Sequence, residues 1–334
     1  MNSLCYNFNL NLTKYQDNKI IINVKNLKIN INIDTNNIIK LINNYYPNIL
    51  IEFENFNNKI PIKDFNIILT IQDNILSNDI INPDYNHIYY LDSYTTKINS
   101  NLLLRYNILA LSIVGLIIKE ILLKNYNITF FTHINSVGNI SDTVSDYNIL
   151  FEDLFKFKYD KLPIVDQRAK ILIQKIINKS VNDHKVISGS LETIIYNLPK
   201  GLGIPYFNLF ESTVAKLLYS IPELKSLEFA NVSKINNNLI QPYKNISFEK
   251  DKLTYESNIY YGVEQGITTG DYVLFKTHFI PPLIYNENSK SINYNTLENI
   301  LIEPIKQEYF NLHKYIFQVE ALTAIALYDL ILTK

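Results

Sequence analysis

Apolar residues recur along this chain with the periods of both helices and strands. Residues 104–124 are rich in apolar residues, which predicts a helix that is buried on most sides. The continuously apolar or weakly polar run inside it, residues 108–118, is only eleven residues long, whereas a membrane span needs about twenty. Two more helices are predicted, one from the N-cap residue Asp166 to about Lys179 and one over residues 314–332.

Alternating apolar and polar residues predict antiparallel strands near the start of the chain. Residues 4–33 alternate weakly, and residues 20–24 form the clearest strand. Asp34 caps a short helix that extends to about Tyr45, and residues 50–72 return to a strand pattern. The chain therefore mixes α and β elements, although the pattern does not give the order of strands in a sheet.

The most informative stretch is residues 188–230, which predicts a strand, a glycine turn, a helix and a second strand. Residues 191–196 are rich in β-branched and aromatic residues, and Pro199 ends that strand. Two glycines then allow a tight turn. A helix is predicted to start at Pro205 and to end before Pro222, and residues 225–229 follow as a strand. The apolar stripe of this helix is predicted to be Phe207, Phe210, Val214 and Leu217.

The composition argues against several classes of protein. The chain has 334 residues, a formal charge of −1 and 47% hydrophobic residues, so it is long enough to bury a full core. A nearly neutral charge argues against a general nucleic-acid binder. The single cysteine, Cys5, excludes an internal disulfide and a cysteine metal cluster, and it fits a reducing cytoplasm. The first residues lack the apolar core of a signal peptide.

Arginine and glycine are both scarce in this chain. The arginines are Arg105 and Arg168, and all other basic charge is lysine, which does not form the bidentate contacts that arginine makes to carboxylate or phosphate. Six of the eight glycines lie within residues 189–270. They mark either ordinary turns or backbone that approaches a ligand closely, and both interpretations stay open.

Two segments resemble the chorismate synthase family. The first, LPKGLGIPYFNLFESTVAKLLYSIPELKSLEF, keeps the spacing of the family's glycine turn, helix and following strand without a gap. The second, NIYYGVEQGITTG at residues 258–270, resembles the family's glycine-rich segment. The last helix carries Val319-Glu320-Ala321 as the family does. The residues that match in the first segment are Pro199, Gly201, Leu202, Gly203, Pro205, Phe207, Ala215, Ser220, Ile221, Pro222, Lys225 and Glu228.

The sequence departs from the family at several polar positions. The first family histidine is absent from residues 11–15, and Asn82 occupies the position of the second. Of an arginine-rich family segment only Arg105 remains. The family's Arg-His-Asp-Pro segment becomes Lys306-Gln307-Glu308-Tyr309, which keeps part of its polarity.

The resemblance implies a reaction and a set of site residues. Chorismate synthases convert 5-enolpyruvylshikimate 3-phosphate to chorismate and phosphate with reduced FMN, which is required but not consumed, and the family is also associated with NADP. A site for several anionic groups needs cationic donors and backbone amides. The resemblance assigns a catalytic role to Glu308 and substrate binding to Arg105, and it implies no metal. The cofactor-binding residues that it implies are Asn258, Gly262, Gly266, Thr268 and Lys306.

The resemblance also implies the architecture: a single α+β domain over residues 1–334, with helices packed between antiparallel sheets. It implies a cytoplasmic homotetramer that acts on a small phosphorylated substrate and needs no nucleic acid or membrane.

Each predicted site also has a purely structural interpretation. Arg105 fits an internal ion pair, the glycine segment fits a sheet edge, and Lys306 to Glu308 fit a polar turn. The alternative function is a non-catalytic relic or structural subunit of the same fold, and an unrelated small-molecule binder is a third possibility.

Overall fold

The computed structural model shows an α+β protein built from two antiparallel sheets and two long apolar helices. The structure describes residues 5, 7–14, 19–56, 62–72, 100–142, 156, 160, 162–183, 185–230, 246–249, 252–255, 261–280, 289–292, 299–302 and 310–334.

Five helices and fifteen strands are present in these ranges. The helices are α1 (Thr35–Asn43), α2 (Ser100–Tyr126), α3 (Gln167–Asn182), α4 (Phe210–Leu218) and α5 (Leu312–Thr333). The strands are β1 (Asn9–Lys14), β2 (Lys19–Lys25), β3 (Ile49–Glu54), β4 (Phe65–Ile71), β5 (Thr129–Val137), β6 (Ile140–Ser141), β7 (Gly189–Tyr196), β8 (Leu224–Phe229), β9 (Ile246–Glu249), β10 (Lys252–Tyr255), β11 (Val263–Glu264), β12 (Ile267–Thr268), β13 (Val273–Phe279), β14 (Ser289–Ile292) and β15 (Asn299–Ile302).

The N-terminal sheet has four strands in the order β1-β2-β4-β3. All of its pairs are antiparallel, as the alternation predicts, and β2 buries Ile20, Ile22 and Val24 on one face. Helix α1 follows β2 and begins where the sequence predicts, because the Asp34 carboxylate accepts hydrogen bonds from the backbone N–H groups of Asn36 and Asn37.

The second sheet has five strands in the order β6-β5-β7-β13-β8, again antiparallel. Strand β13 lies between β7 and β8, although it follows both of them in the chain. The pairs β9–β10, β11–β12 and β14–β15 form separate two-stranded hairpins.

Helices α2 and α5 pack against each other between the two sheets. Helix α2 contacts β2 of the first sheet, and α5 contacts β5 and β7 of the second. Their backbones approach closely at Gly115, where an added Cβ would lie 2.3 Å from the carbonyl oxygen of Ala321. Both helices are long and apolar enough to cross a membrane by length and composition, and both are largely buried within the protein. The predicted buried helix over residues 104–124 is thus confirmed.

The predicted start of α4 is wrong. The helix begins at Phe210 rather than Pro205, and residues 204–208 form a turn in which Ile204 N donates to Asn208 O at 2.9 Å. Phe207, predicted to lie in the buried stripe, is instead 91% exposed with φ of 67°. Phe210 N donates to Gly266 O, and this bond fixes the first turn of the helix at Phe210.

Candidate functional site

Four of the seven predicted site residues lie in the part of the chain that the structure describes. Arg105 is on α2, while Gly262, Gly266 and Thr268 belong to the β11–β12 hairpin and the residue before it. Asn258, Lys306 and Glu308 lie outside the described residues.

Arg105 forms an ion pair with Glu223, which follows α4. The Arg105 Nε atom donates to Glu223 Oε1 at 2.6 Å. The arginine side chain is 35% exposed, whereas the glutamate side chain is only 5% exposed. Because a carboxylate is costly to bury without a partner, this contact stabilises the charge of Glu223.

A cavity of about 160 Å³ opens beside this ion pair. It lies where the start of α2, the end of the α4 region and the start of α5 meet, and its wall is partly aromatic and partly charged. The lining residues are Tyr46, Arg105, Tyr106, Ile108, Pro222, Glu223, Asn311, Lys314, Tyr315 and Gln318.

Two phenols of the wall stay protonated. Burial raises the pKa of Tyr46 and of Tyr315, and the negative charge of Glu223 raises both further, while Arg105 opposes the shift. Gln318 Nε2 donates to the Tyr46 hydroxyl at 3.3 Å, and the Lys314 ammonium lies 5.5 Å from the centre of the Tyr46 ring. The cavity therefore offers cations, neutral hydroxyls and one carboxylate to a ligand.

The glycine hairpin packs against the turn before α4. We call this the turn–hairpin contact, formed by residues 199–203 and 262–270. The Thr268 hydroxyl donates to Pro199 O at 2.6 Å and accepts from Leu202 N at 2.8 Å. Gly203 has φ of 116°, and a Cβ there would lie 2.3 Å from Gly266 O. These glycines thus allow two backbone segments to approach closely.

Arg105 and the glycine hairpin lie at opposite ends of α4. Gly266 contacts Phe210, the first residue of this helix, while Glu223 lies beyond its last turn. Nine helical residues span about 13 Å, and none of the residues of the hairpin lines the cavity. Among the predicted site residues that are described, the structure does not bring Arg105 and the hairpin into one cavity.

A second polar cluster was missed by the sequence reasoning. His133 on β5 is fully buried, with its Nδ1 3.1 Å from Asp142 Oδ2 and its Nε2 3.0 Å from Glu192 Oε1. The Lys276 ammonium lies 3.6 Å from the other oxygen of Glu192. A histidine and a glutamate within otherwise uncharged strands are the signal that could have indicated it.

The charge of this cluster follows from its contacts. Burial lowers the pKa of His133, but the hydrogen bonds and charges of Asp142 and Glu192 outweigh burial and raise it to about 9. Burial tends to raise the pKa of Asp142, yet the bond to His133 and the amides of Val165 and Asp166 lower it overall. At neutral pH the cluster therefore holds a buried imidazolium between two carboxylates. In the ranges that the structure describes, no group of acidic, histidine and cysteine side chains is arranged to hold a metal ion.

Comparison with known proteins places the chain in a family. The chorismate synthase family model matches residues 107–332. The chain belongs to the chorismate synthase family. The matched segment includes the turn–hairpin contact and both partners of His133, and it begins two residues after Arg105.

Curated relatives are similar over the same region. The chorismate synthase of Saccharomyces cerevisiae is 28% identical over 231 residues, which cover 65% of this chain and 61% of the relative. A chorismate synthase of Prochlorococcus marinus is 26% identical over 223 residues, covering 64% of this chain and 59% of the relative. The chain thus spans about three-fifths of the length of these chorismate synthases.

The architecture agrees with a solved structure of the family. The crystal structure of a chorismate synthase superposes with a TM-score of 0.69 at 16% identity, covering 98% of this chain and 93% of the other. The predicted α+β fold, with helices between antiparallel sheets, is confirmed.

The resemblance to the family implies a flavin beside Gly262, Gly266 and Thr268. A Cβ at Gly262 would lie 2.5 Å from Tyr272 O, and one at Gly266 would lie 2.5 Å from Leu209 Cδ2. The Thr268 hydroxyl already makes two hydrogen bonds within the chain. These three residues are engaged in packing and do not by themselves form a flavin site, so their contact with the cofactor stays a prediction.

Proposed function

We propose that this protein is a chorismate synthase, a carbon–oxygen lyase that converts 5-enolpyruvylshikimate 3-phosphate to chorismate and phosphate and requires reduced FMN. Family membership over residues 107–332 supports this function. The observation that carries it is the turn–hairpin contact, because the two segments that resemble the family most closely in sequence meet there through Thr268 and Gly266.

In this proposal Arg105 binds one carboxylate of the substrate. Its guanidinium lines the cavity together with Lys314, so the wall supplies two cationic side chains. Glu223 offsets the charge of Arg105 at 2.6 Å, so we assign a single carboxylate of the substrate to this cavity. We therefore assign the remaining anionic groups of the substrate to residues outside the described ranges, where Glu308 is the acid–base group. Lys306 and Asn258 bind the cofactor.

We also propose a compartment, an oligomeric state and a pathway for the protein. We infer a cytoplasmic homotetramer that acts in aromatic amino acid biosynthesis, with no nucleic acid or membrane as partner. A single buried cysteine, Cys5, suits a reducing compartment.

One assay tests the function directly. The full chain is incubated without oxygen with reduced FMN and 5-enolpyruvylshikimate 3-phosphate, and the chorismate absorbance and the flavin spectrum are recorded. We expect chorismate to form and the flavin spectrum to change on substrate addition.

Arg105→Lys should lower kcat/KM by about 10- to 100-fold, because a charged hydrogen bond to the substrate is lost. Arg168→Lys, at an exposed position of α3, should leave kcat/KM unchanged. Absence of flavin binding at high micromolar concentration contradicts the proposal.

A non-catalytic protein of the same fold is the second candidate. The specific observation that favours it is the 2.6 Å contact between Arg105 and Glu223, because a carboxylate already engages the one arginine kept from an arginine-rich family segment. This candidate predicts that neither the substrate nor the flavin binds in the same assay.

A further inference from the structure

The guanidinium of Arg105 keeps one edge open to the cavity. Only its Nε atom is engaged, by Glu223 Oε1, and its two terminal nitrogens make no hydrogen bond to any residue that the structure describes. The side chain is 35% exposed. Two terminal nitrogens in a plane match the two oxygens of a carboxylate, so this edge suits a ligand carboxylate.

Glu223 presents the opposite charge to the same cavity. One of its oxygens accepts from Arg105, and the other has no hydrogen-bond partner within the described part of the chain. The side chain is only 5% exposed. A carboxylate held so far from water gains from a further donor, and an ammonium group supplies three.

Aromatic and apolar residues form much of the remaining wall, beside Asn311, Lys314 and Gln318. Tyr46, Tyr106 and Tyr315 line it together with Ile108 and Pro222. The ring of Tyr315 is held parallel to Phe279, with ring centres 4.5 Å apart, so this part of the wall is fixed before any ligand binds. Such a surface suits a flat or branched apolar group of a small ligand.

From these three features we propose that the cavity binds a small zwitterion, an α-amino acid with an aromatic or branched apolar side chain. Its carboxylate meets the terminal nitrogens of Arg105, and its ammonium meets Glu223. The apolar side chain packs among the three tyrosines. A ligand that placed two anionic groups inside this cavity would bring one of them against Glu223, and a plain cation would face Arg105 and Lys314, so neither fits as well.

This inference uses the same cavity as the proposed function but does not depend on catalysis. The binding experiment contains neither flavin nor phosphorylated substrate. A chain that binds the amino acid but is inactive would refute the proposed function and support this inference. A chain that is active but does not bind the amino acid would support the proposed function and refute this inference.

Three probes of matching shape test the charge requirement on the unmodified full chain. These are L-phenylalanine, 3-phenylpropionate, which lacks the ammonium, and 2-phenylethylamine, which lacks the carboxylate. Binding is measured by calorimetry and by ligand-observed NMR. We expect L-phenylalanine to bind at least about tenfold more tightly than either truncated probe, since each loses one charged hydrogen bond. Equal affinity for all three probes, or no binding of L-phenylalanine at about 10 mM, overturns the proposal.

Variants then assign the two charges. Glu223→Gln should remove the preference for L-phenylalanine over 3-phenylpropionate, and Arg105→Gln should remove its preference over 2-phenylethylamine. Arg168→Gln on α3 is the matched control and should keep both preferences. If Glu223→Gln retains the preference, Glu223 does not hold the ammonium and the proposal fails. Should that variant not fold, the comparison of the three probes on the unmodified chain still decides.

Discussion

At the scale of single residues, the most consequential group is the buried imidazolium of His133. It lies within 3.1 Å of Asp142 and within 3.0 Å of Glu192, with Lys276 on the far side of Glu192. Removing one partner of a buried ionic network leaves uncompensated charge, which usually costs about 3–5 kcal/mol. The cluster therefore makes the sheet sensitive both to substitution and to pH.

We predict that stability falls at alkaline pH because of His133. Its folded-state pKa is raised to about 9, above the value of about 6.5 in an unfolded chain. Its contribution is fully present below about pH 6.5 and is lost as the pH rises towards 9. His133→Gln should lower the free energy of unfolding by about 3–5 kcal/mol at neutral pH and should flatten its decline above pH 7, as measured by denaturant titration at a series of pH values.

The control is His278→Gln on β13. That side chain is 42% exposed and lies 3.9 Å from Glu228, so its replacement should change stability by less than about 1 kcal/mol. An unchanged alkaline decline in the His133→Gln variant would show that another group causes it.

The partners of Arg105 and His133 could not be predicted from the sequence. The sequence singled out Arg105 and offered an internal ion pair as one interpretation, but its partner, Glu223, lies 118 positions further along the chain. His133 and Glu192 face each other through the register of β5 against β7. A register depends on how distant strands pair, and a shift of one strand by one residue would have placed the two side chains on opposite faces of the sheet.

At the scale of secondary-structure elements, the turn–hairpin contact explains why the glycines cluster. Gly203 allows the turn to approach Gly266 O, and Gly266 has φ of 79°. Here the glycines serve a tight turn and the close approach of two segments of the same chain. That they also approach a ligand stays a prediction.

We predict that Thr268 holds these two elements together. Thr268→Val keeps the shape of the side chain but removes the bonds to Pro199 O and Leu202 N. The variant should lower the free energy of unfolding by about 1–3 kcal/mol, because buried polar groups lose their partners. Thermal and urea unfolding of the flavin-free protein measure this loss.

Thr269→Val is the neighbouring control. The Thr269 hydroxyl makes only long contacts, donating to the Asp271 carboxylate at 3.5 Å and accepting from Asp271 N at 3.4 Å, so the change should stay within about 0.5 kcal/mol. If Thr268→Val kept full stability and instead lost flavin affinity, the assigned role at the cofactor would be supported over the structural one.

Helix α4 shows why an element boundary was misplaced. The apolar residues Phe207 and Phe210 are three apart, which suits a helix, and Pro205 suits a first helical turn. Periodicity records only whether a residue is apolar, and it does not record that Phe210 N is bonded to Gly266 O. That long-range bond starts the helix five residues later and leaves Phe207 in solvent.

At the scale of the whole molecule, the pattern of apolar residues predicted most elements but not their arrangement. Helix α2 and strand β2 lie close to where the sequence predicts them. The position of β13 between β7 and β8 was not predictable, because non-consecutive pairing is decided by packing of the completed core. The family resemblance supplied the architecture that periodicity alone does not contain.

We propose that the chain folds as one domain, as the family resemblance implies. One cluster of buried residues includes Ile22 of the first sheet, Ile117 of α2, Ala326 of α5 and Leu191 of the second sheet. Because α2 and α5 pack together between the sheets, neither sheet can bury its inner face without them.

The single-domain proposal predicts that damage to α2 destabilises both sheets equally. Ile117 is fully buried, so Ile117→Ala should lower the free energy of global unfolding by about 2–5 kcal/mol. Native-state hydrogen exchange would report this as the same decrease in the most protected amides of β2 and of β7. Ile171→Ala on α3, where the side chain is 55% exposed, should change neither strand by more than about 0.5 kcal/mol. A decrease confined to β2 would mean that the two sheets unfold separately, and the chain would then consist of two domains that share a helical boundary.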